Sequence, residues 1–227
     1  MNKKKAIPGV LQNQFLIRLL RSDIGIVLSY WTFQGMLYMD VRESMFKIGL
    51  DFVMTFLFLI GGVPLIPAFI SAHTINMLLN GHHYVLMHNM GRLNNDPAKF
   101  LDSIRGLHAR LQNADFLIGA AAYGSLSRGQ YGASSDADVR VFPKRRFLDW
   151  LRAVLWVVSE RARALIQAFP LDIYAFDLGT IDAKMRADEP PIILHDPESI
   201  LRQKYEKHIL FEEFAEEFKE TYVQRTI

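Results

Sequence analysis

The stretch GSLSRGQYGASSDADVRV, residues 124–141, pairs a Gly-Ser turn with two aspartates separated by one alanine. Extended chain sends alternate side chains to opposite faces. Asp136, Asp138 and Arg140 therefore share one side of the strand, while Ala137, Val139 and Val141 form the apolar side. Two converging carboxylates repel each other unless a cation lies between them. A donor set of oxygens alone favours Mg²⁺ or Mn²⁺, which bind through a few carboxylates and substrate phosphates. Gly124 lets the backbone approach a phosphate closely, and Ser125 adds a hydroxyl and a main-chain N–H. Arg140 has two roles open to it, neutralising a phosphate or pairing with an aspartate. Glycine, serine and aspartate are also ordinary turn residues, so a solvent-exposed β-turn is the competing reading of the whole stretch.

The flanking segments favour a site. FLIGAAAY (116–123) is short, apolar and bounded by turn residues, which predicts a buried strand; DADVRVF (136–142) alternates with period two and ends at Pro143. A long amphipathic helix is expected over 144–169, closed by Pro170, and LDIYAFDL (171–178) reads as a third strand. Upstream, Asp96 and Pro97 mark a helix start, with Phe100, Leu101, Ile104, Leu107 and Leu111 at helical spacing. PPIILHD (190–196) suits an edge strand, and 197–224 is read as one amphipathic tail helix whose pairs Glu212-Glu213 and Glu216-Glu217 form a solvated face. Asp172, between Leu171 and Ile173, is costly to bury without a partner, and a metal or a general-base role would account for it. Asp177 competes for that role, but its opposite strand parity and later position make it the second choice. The expected class is α/β of the α+β type: a small mixed sheet with flanking helices.

Hydrophobic-Gly-Ser, a gap of ten residues, Asp-x-Asp on a strand, then a helix and LDIY together resemble the polymerase-β-type nucleotidyltransferase superfamily, over about residues 97–196. The resemblance implies that Gly124 and Ser125 hold a nucleoside triphosphate. It also implies that Asp136 and Asp138 bind divalent metal, and that Asp172 is the third carboxylate, assisting the metal and activating the acceptor hydroxyl. Arg128, Lys144, Arg145 and Arg146 are candidate auxiliary phosphate contacts or plain surface charges.

The 227-residue chain carries 26 Lys plus Arg against 24 Asp plus Glu, a net charge of +2 that makes no case for binding duplex nucleic acid. There is no cysteine, which excludes disulfides and thiolate metal sites. No secretory signal is expected, since Pro8, Gln12, Gln14, Arg18 and Arg21 interrupt the stretch after MNKKK.

Charge is distributed unevenly. Residues 52–91 contain no Asp, Glu, Lys or Arg, and 52–72 are long enough to cross a bilayer but hold Gly61, Gly62, Pro64 and Pro67. A kinked span, a re-entrant hairpin or a pair of in-plane helices are the options, with a buried hairpin of a soluble protein as the alternative. Trp31, Tyr30 and Tyr38 suit a headgroup level. His73, His82, His83 and His88 lack i, i+4 metal spacing and are expected to make polar or headgroup contacts.

The expected organisation is a membrane-associated helical module (1–91), a nucleotidyltransferase core (92–196) and a C-terminal helix (197–227). The expected activity is NMP transfer from an NTP to an acceptor hydroxyl at the cytoplasmic membrane face, using Mg²⁺ or Mn²⁺, with a lipid, lipid-linked sugar or surface-polymer precursor as acceptor. A soluble transferase and a non-catalytic nucleotide-binding adaptor are the rivals, and the uncharged stretch would also serve as an oligomer interface.

Overall fold

The computed structural model describes residues 22–36, 39–80, 95–181 and 189–224. Five strands form one mixed sheet in the order β3-β2-β1-β4-β5, with β1 at Leu117–Tyr123, β2 at Ala137–Pro143, β3 at Leu171–Ala175, β4 at Ile192–His195 and β5 at Ile209–Leu210. β1 runs antiparallel to both β2 and β4, while β2–β3 and β4–β5 are parallel pairs. The parallel β2–β3 connection is made by the long helix between them, as a crossover requires. The chain is thus α+β with a mixed sheet.

Helices α1 (Asp23–Phe33), α2 (Val41–Ile60) and α3 (Leu65–Asn80) precede α4 (Pro97–Leu111), and α5 (Phe147–Gln167) joins β2 to β3. Asp96 caps α4 by accepting from the Lys99 N–H at 2.9 Å, and Pro97 occupies its first turn. The predicted stripe of α4 is fully buried and meets Ala120, Ala122, Val139, Val141 and Ile173 from one sheet face and Val154 and Val157 from α5. The other face holds a smaller cluster of Ala121, Tyr123, Phe142, Tyr174 and Phe176. Asp138 and Arg140 share the parity of this second face.

The tail departs from expectation. Residues 197–224 are not one helix but a short α6 (Ile200–Lys204), the edge strand β5, α7 (Phe211–Phe218) and a π-helical turn, Lys219–Val223. The open edge of β4 decides this. Ile209 donates its N–H to Pro191 O and lies in register with Ile192, which a continuous helix could not do. Phe211, Phe214 and Phe218 are buried and the glutamate pairs exposed, as the pattern indicated.

In the N-terminal module Gly61–Pro64 form a turn between two helices. Gly62 has φ +82°, a left-handed conformation that favours glycine, and Pro67 falls in the first turn of α3, where its missing N–H breaks no helical bond. Of the arrangements left open by the sequence, the chain takes that of a helical hairpin. Among the described residues no helix is long and apolar enough to cross a membrane; Arg42, Glu43, Lys47 and Asp51 fall between the start and the middle of α2.

Polarity is inverted in this hairpin. His73 Nδ1 lies 2.7 Å from Asp51 Oδ2 and its Nε2 2.7 Å from Trp31 O, and Asn76 Nδ2 donates to Asp51 Oδ1 at 2.7 Å. Lys47, 1% exposed, donates to Gln34 O at 2.6 Å. Meanwhile Phe52, Phe56, Ile60, Leu65 and Ile66 face outward, Phe52 at 71% and Ile66 at 73% exposure. His73 therefore serves the bundle interior, not a headgroup, and Trp31 Nε1 donates inward to Thr74 Oγ1 at 3.0 Å. Tyr38, His82, His83 and His88 lie outside the described residues.

Candidate active site

The site is built at one end of the β1–β2–β3 trio. β1 ends at Tyr123, whose register partner on β2 is Asp138, and Asp138 in turn faces Asp172 on β3. Three segments far apart in sequence thereby converge. Asp136 lies one residue before β2, and its charge reaches Asp138.

Gly124 follows β1 immediately with φ +76°, and a Cβ built on it would come within 2.2 Å of Asp138 Oδ2. The turn is pressed against the carboxylate. Beyond it the loop is closed on itself: Ser125 Oγ donates to Ser135 Oγ at 3.2 Å, Gln130 N to Ser125 O at 2.8 Å, and Ser127 Oγ to Gly124 O at 3.1 Å. These bonds hold the Gly-Ser turn beside the residue preceding Asp136. Gly124→Ala should both strain the left-handed backbone, by about 1–2 kcal/mol, and push the Asp138 carboxylate aside. The expected result is a lower melting temperature together with a loss of triphosphate affinity in calorimetry; unchanged values of both would remove Gly124 from the site.

Arg140 links the two acids, with Nη2 3.6 Å from Asp138 Oδ1 and 3.5 Å from Asp172 Oδ2, while Nη1 donates to Asp172 O at 2.9 Å. Its guanidinium stacks 4.7 Å over the Tyr174 ring. Burial opposes its charge, but Asp172 and Asp138 more than offset that and push its pKa up. Burial pushes the Asp138 carboxyl above the usual carboxylate range, Asp136 and Asp172 push it further, and Arg140 only partly compensates. A side-chain hydrogen bond with Asp172 also favours protonated Asp138. Arg140 is thus shared between Asp138 and Asp172.

Asp172 is buried, as its apolar flanks required, and keeps the company of Asp138. Asp177 does not. It lies past the far end of β3, where its Oδ1 accepts from Gly179 N at 2.7 Å. Arg128 is ion-paired with Glu189, and Lys144 and Arg145 border a cavity at the opposite end of the strands.

Three aspartates offer only oxygens, which fits Mg²⁺ or Mn²⁺ chemically, and the raised Asp138 is what burial beside two further carboxylates produces. Among the described residues, however, no three such side chains converge as a ready-made metal cluster.

Two participants were hidden from sequence reasoning. Arg161 of α5 donates to Ile173 O beside Asp172 and pairs with Glu43 of α2, and Glu43 Oε2 also accepts the Ala175 N–H at 2.9 Å. Their separation of 118 residues leaves no local signal. Tyr174, by contrast, is legible from its shared parity with Asp172. No family model matches the chain, and no curated protein sequence matches it.

Proposed function

We propose that the chain is a metal-dependent nucleotidyltransferase with the core of the polymerase-β-type superfamily, working at a membrane surface. The observation that carries this reading is the contact of Gly124 with Asp138, which in turn faces Asp172 across the sheet.

In this reading the main-chain N–H groups after Gly124 receive the β- and γ-phosphates of an NTP. Asp136 and Asp138 would hold Mg²⁺, with Asp172 assisting, and the ion would supply Lewis-acid stabilisation of charge on phosphate oxygens. Asp172 takes the proton of an acceptor hydroxyl whose oxygen bonds to the α-phosphorus as the bond to pyrophosphate breaks. Arg140 holds Asp172 in place and offsets its charge before the proton arrives. The hairpin, apolar outside and hydrogen-bonded inside, has the polarity of a protein whose surroundings are lipid, which supports a lipid or lipid-linked acceptor.

The test is mass spectrometry of products after incubation of the full chain with Mg²⁺, mixed NTPs and a membrane lipid extract. Acceptors heavier by one NMP, with pyrophosphate released, are expected. Products formed equally well from water-soluble acceptors alone would replace the lipid assignment, and no Mg²⁺-dependent transfer to any acceptor would overturn the enzyme reading.

A second reading has one observation on its side: Arg140 already lies between two of the carboxylates. A nucleotide-binding adaptor would bind NTP with Arg140 as its cation, and calorimetry would then give the same affinity with and without Mg²⁺.

A further inference from the structure

We propose that the two-chambered cavity at the end of the sheet remote from Asp138 binds a phosphate-bearing lipid drawn from the bilayer. The inference rests on the membrane-facing reading of the hairpin but not on the transfer chemistry, since none of the carboxylates of the candidate active site lines it.

The first chamber, of 430 Å³, lies between the first turn of α2, the starts of β1 and α5, the end of β2 and the chain beyond β3. Arg42, Lys144, Arg145 and Lys204 line it, against Asp40 and Asp177. Both acids already accept backbone N–H groups, Asp40 from Arg42 at 2.9 Å and Asp177 from Gly179 at 2.7 Å. The chamber is therefore positive in balance, and the N-terminal ends of α2 and α5, which carry partial positive charge, border it. This is chemistry for a phosphate.

The second chamber, of 550 Å³, shares Arg42, Arg145 and Trp150 with the first. Its remaining walls are apolar: Met45, Phe46, Phe147 and Leu151. Phe147 is 72% exposed and Met45 67%, large apolar side chains held in water next to arginines. A free phosphate has no use for such a trough, whereas an acyl chain does.

The trough continues along α2. Val41, Met45, Ile48, Phe52, Phe56 and Ile60 are all exposed and recur at helical spacing towards the hairpin tip. At 1.5 Å per residue, Met45 stands about 22 Å from Ile60 along the axis. Half the thickness of a bilayer with its headgroups is also about 20–22 Å. With the tip at the bilayer midplane, the cationic chamber stands at headgroup level and the stripe faces acyl chains.

The probe is phosphatidic acid with a brominated chain, in phosphatidylcholine vesicles, with brominated phosphatidylcholine at the same fraction as control. The readout is quenching of Trp150, taken as the difference between the full chain and its Trp150→Phe variant. Several-fold stronger quenching by the phosphatidic acid is expected, abolished in Lys144→Gln/Arg145→Gln, while binding to plain phosphatidylcholine vesicles is retained. Equal quenching by the two lipids would overturn the site, as would displacement of phosphatidic acid by millimolar-range inorganic phosphate, which would mark a free-phosphate pocket. A chain that binds neither vesicle would overturn the membrane reading as well. If Phe147→Ser instead abolishes a dimer seen by sedimentation without lipid, the trough belongs to a second copy and the proposal fails.

Discussion

Asp138→Asn is expected to lower NMP transfer by about 10²–10³-fold, the usual cost of removing one preorganised electrostatic group from a reacting centre, while leaving the melting temperature unchanged or higher. The two effects have opposite signs for one reason. Burial and the neighbouring Asp136 and Asp172 already resist ionisation of Asp138, so the native fold carries a carboxylate that it would hold more easily as a neutral amide. Asparagine keeps the shape beside Gly124 and relieves the repulsion. Thermal unfolding and pyrophosphate release on the same preparation make the comparison. A variant that melts well below the parent would mark Asp138 as structural, and one that transfers at the parental rate would remove it from the chemistry.

Glu43→Ala is expected to cost about 3–5 kcal/mol, measured by denaturant unfolding, because it leaves the Arg161 guanidinium buried without its counter-charge. Both side chains are essentially inaccessible, at 1% and 2% exposure. The loss extends beyond the ion pair, since the Ala175 N–H loses its acceptor at the edge of β3. The double variant Glu43→Leu/Arg161→Met should recover most of the stability, as apolar replacement of a buried pair often does. It should not recover full transfer activity, because Arg161 also bonds to Ile173 O, next to Asp172. Recovery of neither, or a cost within about 1 kcal/mol for the single variant, the range of a surface pair, would show that the hairpin and the sheet are not joined here.

Much of the core was legible in the order of residues. The stripe of α4, the alternation through Ala137, Val139 and Val141, and the apolar run of β1 are each local patterns with one periodicity, and the burial follows them. The parity argument likewise put Asp138 and Arg140 on one face. The tail departs from its helical pattern for a non-local reason. Ile209 and Leu210 suit a helix as well as a strand, and only the open edge of β4 chooses between them. The hairpin was legible in its breakers, Gly61, Gly62 and Pro64, but the inward pairing of Asp51 with His73 and Asn76 depends on how α2 and α3 face each other.

The sequence by itself determined most of the elements and the chemistry available to them: an oxygen-only acidic set where a strand begins, a glycine where the backbone must turn, and an uncharged stretch broken in the middle. These follow from side-chain period and backbone sterics, which act over a few residues. Only the tertiary structure decided that Asp172 lies in register with Asp138, that Arg140 links the two acids, and that Glu43 of the apolar module reaches the edge of the sheet. Those choices are set by strand register and by burial of charge across up to 132 residues of chain, where local propensity has no influence and the need to partner every buried charge does.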